Sequence, residues 1–324
     1  MKSRINEIGR DDGNIRLFLF RLKKSGLTIY RVYKINQNIY VLDTKFGLKV
    51  LKRFQSKSKL LFQFTFSQKM LKRNARILYY FERFPNGERF IQWNRCYWAM
   101  LPYISGKKVN FAQTFDQIGV FQALHDFHQH SLGIHMDVFP VRRLYSYYEQ
   151  RFQNFSQLIT TLPHVQMKMF GDILEWGLYA LAKLADEKRF LDAMEKMAIV
   201  QRMWMHGDVA HHNFLRVAEQ RVVLIDFDQV SIGPKEYDEL QLSQRILCSN
   251  NWNFAELLRT IKPIQRLADQ RWYLYGLIFP NDIYREWTLF FQGKTRVSFE
   301  RLIAYTNHQY AARLKLIKEL IHIC

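Results

Sequence analysis

Residues 205–226 read MHGDVAHHNFLRVAEQRVVLID, and the rest of the chain is organised around them. His206-Gly207-Asp208 opens a loop that Asn213 closes. An apolar run, 214–217, leads to a polar turn, Ala218-Glu219-Gln220-Arg221, and a second apolar run, 222–225, delivers Asp226. Two such runs joined by a short polar turn pair as an antiparallel hairpin. That pairing predicts that Asn213 and Asp226 return side by side, although 13 residues separate them. An amide oxygen beside a carboxylate makes a hard-oxygen site suited to Mg²⁺, with phosphate oxygens completing the shell. Asp208 stands earlier on the loop, where it can receive a proton from an attacking hydroxyl.

The order H-G-D-x-x-x-x-N, strand pair, then I-D-F-D at 225–228 resembles the aminoglycoside phosphotransferase and choline kinase group, which has the protein-kinase-like fold. Three further stretches resemble, within that group, the spore-coat-associated kinase-like proteins of sporulating bacteria: YWAMLPYISG at 97–106, ALHDFH at 123–128 and FPND at 279–282. The resemblance spans residues 28–310 and implies an α+β, two-lobed fold. Residues 1–101 would form a lobe with an antiparallel sheet and one long helix. Residues 102–324 would form a mainly helical lobe carrying the catalytic and metal loops.

The resemblance also implies chemistry: ATP-dependent, Mg²⁺-dependent phosphoryl transfer to the hydroxyl of a small-molecule acceptor. Asp208 would position or deprotonate that hydroxyl. Asn213 and Asp226 would hold Mg²⁺ between the phosphates, and Lys52 would neutralise them. Val50 would lie under the base, and backbone groups of a hinge at Leu101–Tyr103 would face the adenine. Asp238, in GPKEYDEL at 233–240, matches an aspartate that starts a helix and braces the loop from below. His206 is expected to be structural, packed beside the Asp226 backbone, and His211 and His212 to be exposed or to contact phosphate or acceptor.

Composition narrows the classes further. The chain has 324 residues, 48% of them hydrophobic and 15% aromatic, enough for two lobes with sizeable cores. Cys96, Cys248 and Cys324 are too far apart for a disulfide framework or a paired metal motif. The first 16 residues lack the apolar core of a secretory signal, and no apolar run reaches a membrane span. A cytoplasmic, reduced protein is therefore expected, with the spore coat as the alternative and no membrane partner.

The formal charge of +19 is uneven, because residues 1–101 hold 22 Lys or Arg against 6 Asp or Glu. Such a face attracts something anionic: nucleotide phosphates, nucleic acid or an acidic partner surface. No nucleic-acid motif accompanies it, so a partner surface, such as a spore-coat protein, or a general electrostatic role is the reading preferred to nucleic acid.

Helical and strand signals fill in the rest. Residues 14–24 read as a short helix ended by Gly26. Runs 29–33, 39–42 and 48–54 read as strands, followed by 89–92 and 95–101, with Pro102 breaking the pairing. Alternation puts Leu48, Val50 and Lys52 on one face of the third strand and Lys49, Leu51 and Arg53 on the other. Lys52 is thus the candidate phosphate lysine, with Lys49 the second choice. The first hairpin turn, 34–38, has no glycine to let backbone N–H groups approach phosphates. A helix over 57–83 should supply a glutamate to orient the lysine, yet Glu82 at its far end is the first one. Gln63 or Gln68 could bond Lys52 without supplying charge. Asp228 could reach a second Mg²⁺, although alternation would turn it away from Asp226. His125, His128 and His130 lack metal-ligand spacing and read as polar tips of a helix at 115–130. Further helices are expected over 142–159, 169–200 and 239–324, the last broken at 250–253 and 279–281. The missing glutamate, the glycine-free turn and the concentrated charge together support a second reading, a kinase-like scaffold without turnover.

Overall fold

Residues 29–54 carry β-branched and aromatic side chains in alternation, and they form three adjacent strands of one antiparallel sheet. The structure is a computed structural model that describes residues 6–7, 13–73, 77–160 and 167–323. One compact unit comprises Met1–Lys107, Met136–Val138 and Leu215–Asp228. Its elements begin with β1 (Asn6–Glu7), α1 (Gly13–Lys24), β2 (Ile29–Asn36), β3 (Ile39–Thr44) and β4 (Gly47–Phe54). They continue with α2 (Lys57–Arg73), β5 (Ile91–Trp93) and β6 (Cys96–Pro102). The strand order is β1-β2-β3-β4-β6-β5.

Each face of this sheet has its own apolar partner. Phe18 and Leu22 of α1 pack with Leu42, Leu51, Trp98 and Met100. Gly26 follows α1 with φ +90°, a conformation that needs glycine, and a Cβ there would come 2.9 Å from Pro85. On the other face Phe54 and Phe64 both meet Phe81. Lys52 lies on that face, buried to 7% exposure.

Two expected boundaries shift. The helix expected over 57–83 ends at Arg73; residues 74–76 lie outside the described residues. Residues 79–83 are not helical: Tyr79 and Phe81 meet edge-on at 6.1 Å, and the Glu82 N–H donates to the Met100 carbonyl at 2.8 Å. Pairing also runs through Pro102, which lies opposite Lys49. At a strand end the missing N–H costs little, and the Tyr103 N–H donates to the Leu48 carbonyl at 3.3 Å.

The second unit comprises Lys108–His135, Phe139–Phe214 and Gln229–Cys324. Its helices are α3 (Thr114–Ser131), α4 (Leu144–Ile159), α5 (Met167–Asp186), α6 (Lys188–Gln201) and α7 (Lys235–Ser249). Then come α8 (Phe254–Thr260), α9 (Arg271–Ile278), α10 (Asn281–Phe291) and α11 (Phe299–Ile323). The core is aromatic: Tyr148 stacks on Phe279 at 4.1 Å and Phe155 on Tyr284 at 4.2 Å. Gly177 sits where α5 meets that cluster, and a Cβ there would lie 2.1 Å from the Tyr284 hydroxyl. This contact explains a helix-weakening residue inside α5.

The unit also buries an ion pair. Arg313 of α11 is fully buried and donates through Nη2 to Asp282 Oδ1, while the Tyr305 hydroxyl donates to Asp282 Oδ2 at 2.9 Å. The Arg313 guanidinium lies over the Trp252 ring, 3.7 Å from its centroid. Burial opposes the Asp282 charge, but Arg313 and Tyr305 hold the carboxyl below its usual range.

Short strands carry the organising stretch. After β7 (Lys107–Lys108) and β8 (Trp204–Met205) come β9 (Phe214–Ala218), β10 (Arg221–Leu224) and β11 (Ser231–Ile232). The two-residue turn Glu219-Gln220 joins β9 to its neighbour β10, giving the expected hairpin with a tighter turn. β8 pairs antiparallel with β11.

Candidate functional site

The candidate residues fall in both units, and each half has its own logic. In the first unit, β4 carries Lys52 into a buried polar cluster. Its Nζ donates to Asp226 Oδ1 at 2.6 Å and Asp228 Oδ1 at 2.9 Å, with the Tyr79 hydroxyl 3.3 Å away. Burial pulls the ammonium down, but its polar neighbours overcome that and raise it above its ordinary value. Burial pushes the Tyr79 phenol up, so Tyr79 is neutral at ordinary pH and the two carboxylates carry the charge. Burial works against Asp228 as well, and Lys52 and the Gln63 amide together hold its carboxyl below the usual range.

Both aspartates reach one lysine because β10 ends at Leu224 and Asp226 turns the chain. It has φ +68°, a left-handed conformation that is costly for a residue with a Cβ. The expectation that Asp228 would turn away from Asp226 therefore fails: alternation stops at Asp226, and a short helical turn over Phe227–Gln229 follows. Phe227 anchors that turn, packing edge-on against Tyr79 at 4.8 Å and Phe66 at 5.8 Å.

In the second unit, the His206-Gly207-Asp208 loop hangs from one buried carboxylate. Asp238 accepts the His206 N–H at 2.6 Å and the Gly207 N–H at 2.8 Å, and its Oδ2 lies 2.9 Å from His128 Nε2. Burial opposes this charge too, and the His128 bond, with the other donors, keeps the carboxyl below its usual value. Asp238 lies in the first turn of α7 but does not cap it: the N-cap is Pro234, which has no side-chain cap bond. Gly207 has φ +80°, and a Cβ there would sit 2.5 Å from the Gln229 carbonyl. Its own carbonyl accepts from Arg142 Nη1 at 2.8 Å, and the Val209 N–H donates to Gln241 Oε1.

This scaffold presents Asp208 partly exposed and Asn213 buried. Asn213 Nδ2 donates to the Asp208 carbonyl at 2.9 Å and to Asp208 Oδ2 at 3.1 Å, so its amide nitrogen is committed to Asp208. His206 is fully buried and packs edge-on to Phe127 at 5.7 Å. His211 and His212 are exposed on the turn that ends at Asn213. Burial and the neighbouring His212 lower the His211 imidazole from its ordinary value.

Residues 112–269 match the model of the phosphotransferase enzyme family, APH. No curated protein sequence matches the chain. Among solved structures, an aminoglycoside phosphotransferase from Alicyclobacillus acidocaldarius aligns with TM-score 0.72 at 15% identity, covering 91% of each chain. The fold is the protein-kinase-like one. Spectinomycin phosphotransferase in complex with ADP and spectinomycin aligns with TM-score 0.54 at 15% identity, over 99% of this chain and 98% of the other. Choline kinase LicA from Streptococcus pneumoniae gives TM-score 0.53 at 13% identity, over 96% of this chain and all (100%) of the other.

Within the kinase-like fold, the sequence-predicted residues divide into those that meet and those that do not. Lys52 meets Asp226, and Asp208 meets Asn213. Val50 is half-buried opposite Leu101, and Tyr103 follows the end of β6 with 41% exposure. Neither glutamine bonds Lys52: Gln63 Nε2 donates to Asp228 Oδ1 at 2.6 Å, and Gln68 Nε2 donates to the Phe81 carbonyl at 2.6 Å. The reason is that Lys52 is already held by two carboxylates. Glu82 lies off α2 and pairs with Lys49 at 2.8 Å, which accounts for the second-choice lysine. Tyr79 and Arg142 were missed. The aromatic run at 79–81 was the available signal for Tyr79, and none existed for Arg142.

Proposed function

We propose that the protein is an ATP- and Mg²⁺-dependent phosphotransferase acting on a small-molecule hydroxyl. The observation that supports this reading most is the Lys52–Asp226 pair, a buried ammonium bonded to the first aspartate of I-D-F-D. It joins the residues on which phosphate neutralisation and metal binding depend. Asp208, aimed by its bonds to Asn213, would orient the acceptor hydroxyl and take its proton. Val50, Leu101 and Tyr103 would flank the adenine.

The donor set fits Mg²⁺. Asn213 has its amide nitrogen committed to Asp208, and Asp226 and Asp228 are carboxylates, so hard oxygens are what these residues offer. Among the described residues no group of three or more His, Cys, Asp or Glu could hold a metal ion. Bound there, Mg²⁺ would neutralise charge on the transferred phosphoryl group. Lys52 would then exchange carboxylates for phosphate oxygens.

A second reading, a scaffold without turnover, is favoured by the amide of Gln63 where a glutamate was expected. Spore-coat association, through the basic first hundred residues, is part of either reading and rests on the stretches at 97–106, 123–128 and 279–282. A coat-protein pull-down in high and low salt would test it.

Thermal stability with ATP and Mg²⁺ separates the two main readings. Saturation at a hundredfold above Kd should stabilise the wild type by about 2.7 kcal/mol. That gain should vanish without Mg²⁺ and in Asp226→Ala. A folded wild type that shows no gain would remove the phosphotransferase reading.

A further inference from the structure

A cavity of ≈ 430 Å³ opens in the second unit, on the side of His128 that lies between α3 and the start of α7. Its volume is in the range of about 300–1,000 Å³ usual for small-molecule sites. Trp204, Met203 and Leu132 supply apolar wall. Lys235, the first residue of α7, and the amides of Gln129 and Gln201 supply polar groups, and no Asp or Glu is among the lining residues. A wall of this kind suits a small anion with an apolar body, because the charged end finds the Lys235 ammonium while the body covers Met203 and Leu132.

The position gives such a ligand something to act on. His128 is 92% buried, lines the cavity and bonds the Asp238 carboxylate at 2.9 Å. Asp238 in turn holds the N–H groups of His206 and Gly207, directly before Asp208. Two hydrogen-bond steps therefore separate the cavity from the backbone of the His206-Gly207-Asp208 loop.

We propose that this cavity is a regulatory site for a small amphipathic anion, an aryl or alkyl carboxylate or sulfonate, whose occupancy tightens the His206-Gly207-Asp208 loop through His128 and Asp238. Binding does not depend on the phosphotransferase reading. Its consequence for catalysis does.

The probe is 1-anilinonaphthalene-8-sulfonate, with N-phenyl-1-naphthylamine as its uncharged counterpart. Fluorescence titration of the full chain should give one saturable site for the sulfonate, and binding at least about tenfold weaker for the uncharged compound. Lys235→Glu should weaken the sulfonate at least about tenfold as well. The change leaves the helix start intact, since an acidic residue in the first turn suits the helix dipole. Leu132→Trp, which narrows the mouth, should weaken both compounds. Hydrogen exchange by mass spectrometry should show slower exchange at His206 and Gly207 with the sulfonate bound. Circular dichroism and melting confirm that each variant is folded. Equal binding by Lys235→Glu would mean surface adsorption only and overturn the site. Equal affinity of the uncharged compound would overturn the anion assignment. Unchanged exchange at saturation would overturn the coupling. These readouts require no turnover, so they stand apart from the ATP experiment.

Discussion

The candidate residues of the two units are held in different ways. Lys52 is fixed by side chains only: two carboxylates and a phenol. The loop bearing Asp208 is fixed through its backbone, with Asp238 taking two N–H groups and Arg142 the Gly207 carbonyl. A side-chain cluster can exchange partners when phosphates and a cation arrive, because each contact is a rotatable arm. A loop pinned through its own peptide groups cannot rearrange without losing buried hydrogen bonds. On the proposed function, the lysine cluster would be the part that responds to ligand, and the pinned loop would hold Asp208 in place for the acceptor.

Mutations can break this comparison in order of size. The largest effect should come from Asp208→Asn, which keeps the loop and removes the proton acceptor. Transfer to the acceptor hydroxyl should drop by about 10²–10⁴-fold, while stabilisation by ATP and Mg²⁺ is unchanged in a melting assay. Loss of both would mean that Asp208 also shapes the nucleotide half.

Asp238→Asn attacks the fixed half directly. It removes the carboxylate that His128 bonds and one backbone acceptor, at a cost of about 1.5–3 kcal/mol for each bond to a charged group that is lost, read by denaturant melts. The same carboxyl predicts a pH dependence. Its folded value is depressed, so its stabilisation is present above the unfolded value of about 3.9 and is lost as pH falls through the lower folded value. Melting temperature below pH ~4 should therefore fall more steeply in the wild type than in Asp238→Asn.

Gln63→Met tests the responsive half. It keeps the volume but removes the donor to Asp228, at a cost of about 1.5–3 kcal/mol for a bond to a charged group. Its thermal gain from ATP and Mg²⁺ should change along with its stability, whereas Asp238→Asn should lose stability and keep the gain. The smallest effect belongs to Lys49→Ala. Its partly exposed pair with Glu82 is worth about 0–1 kcal/mol, and a melt should barely register it. A loss matching that of Gln63→Met would show that Lys49 belongs to the site after all.

Most of the architecture was legible because it is local. Alternation over 29–54 marked three strands, Gly26 marked the end of α1, and H-G-D with Asn213 marked the loop. What was illegible depends on contacts across long sequence separations. Tyr79 reaches Lys52 only because 79–83 leaves the helix to run beside β6, joined to it by one backbone bond to Met100. Asp228 turns toward Lys52 only because Asp226 takes φ +68°. No periodicity signals a residue that turns the chain after its strand has ended. Gln63 was seen as a possible partner for the lysine, but a sequence cannot say that two aspartates have filled that place first.

The buried pair between Arg313 and Asp282 bears on the order of events during synthesis. Asp282 begins the helix that supports the aromatic core of the second unit, and its charge is answered by a residue on α11, made 31 positions later. Until that helix has emerged, the carboxylate has no guanidinium to meet and the core around Tyr284 and Trp287 cannot close over it. The first sheet can assemble while the chain is growing, whereas the ion pair of the second unit must wait for α11. A nascent chain stalled short of α11 would thus expose a largely apolar, unfinished bundle to chaperones and proteases, and premature termination there should be read by the cell as misfolding.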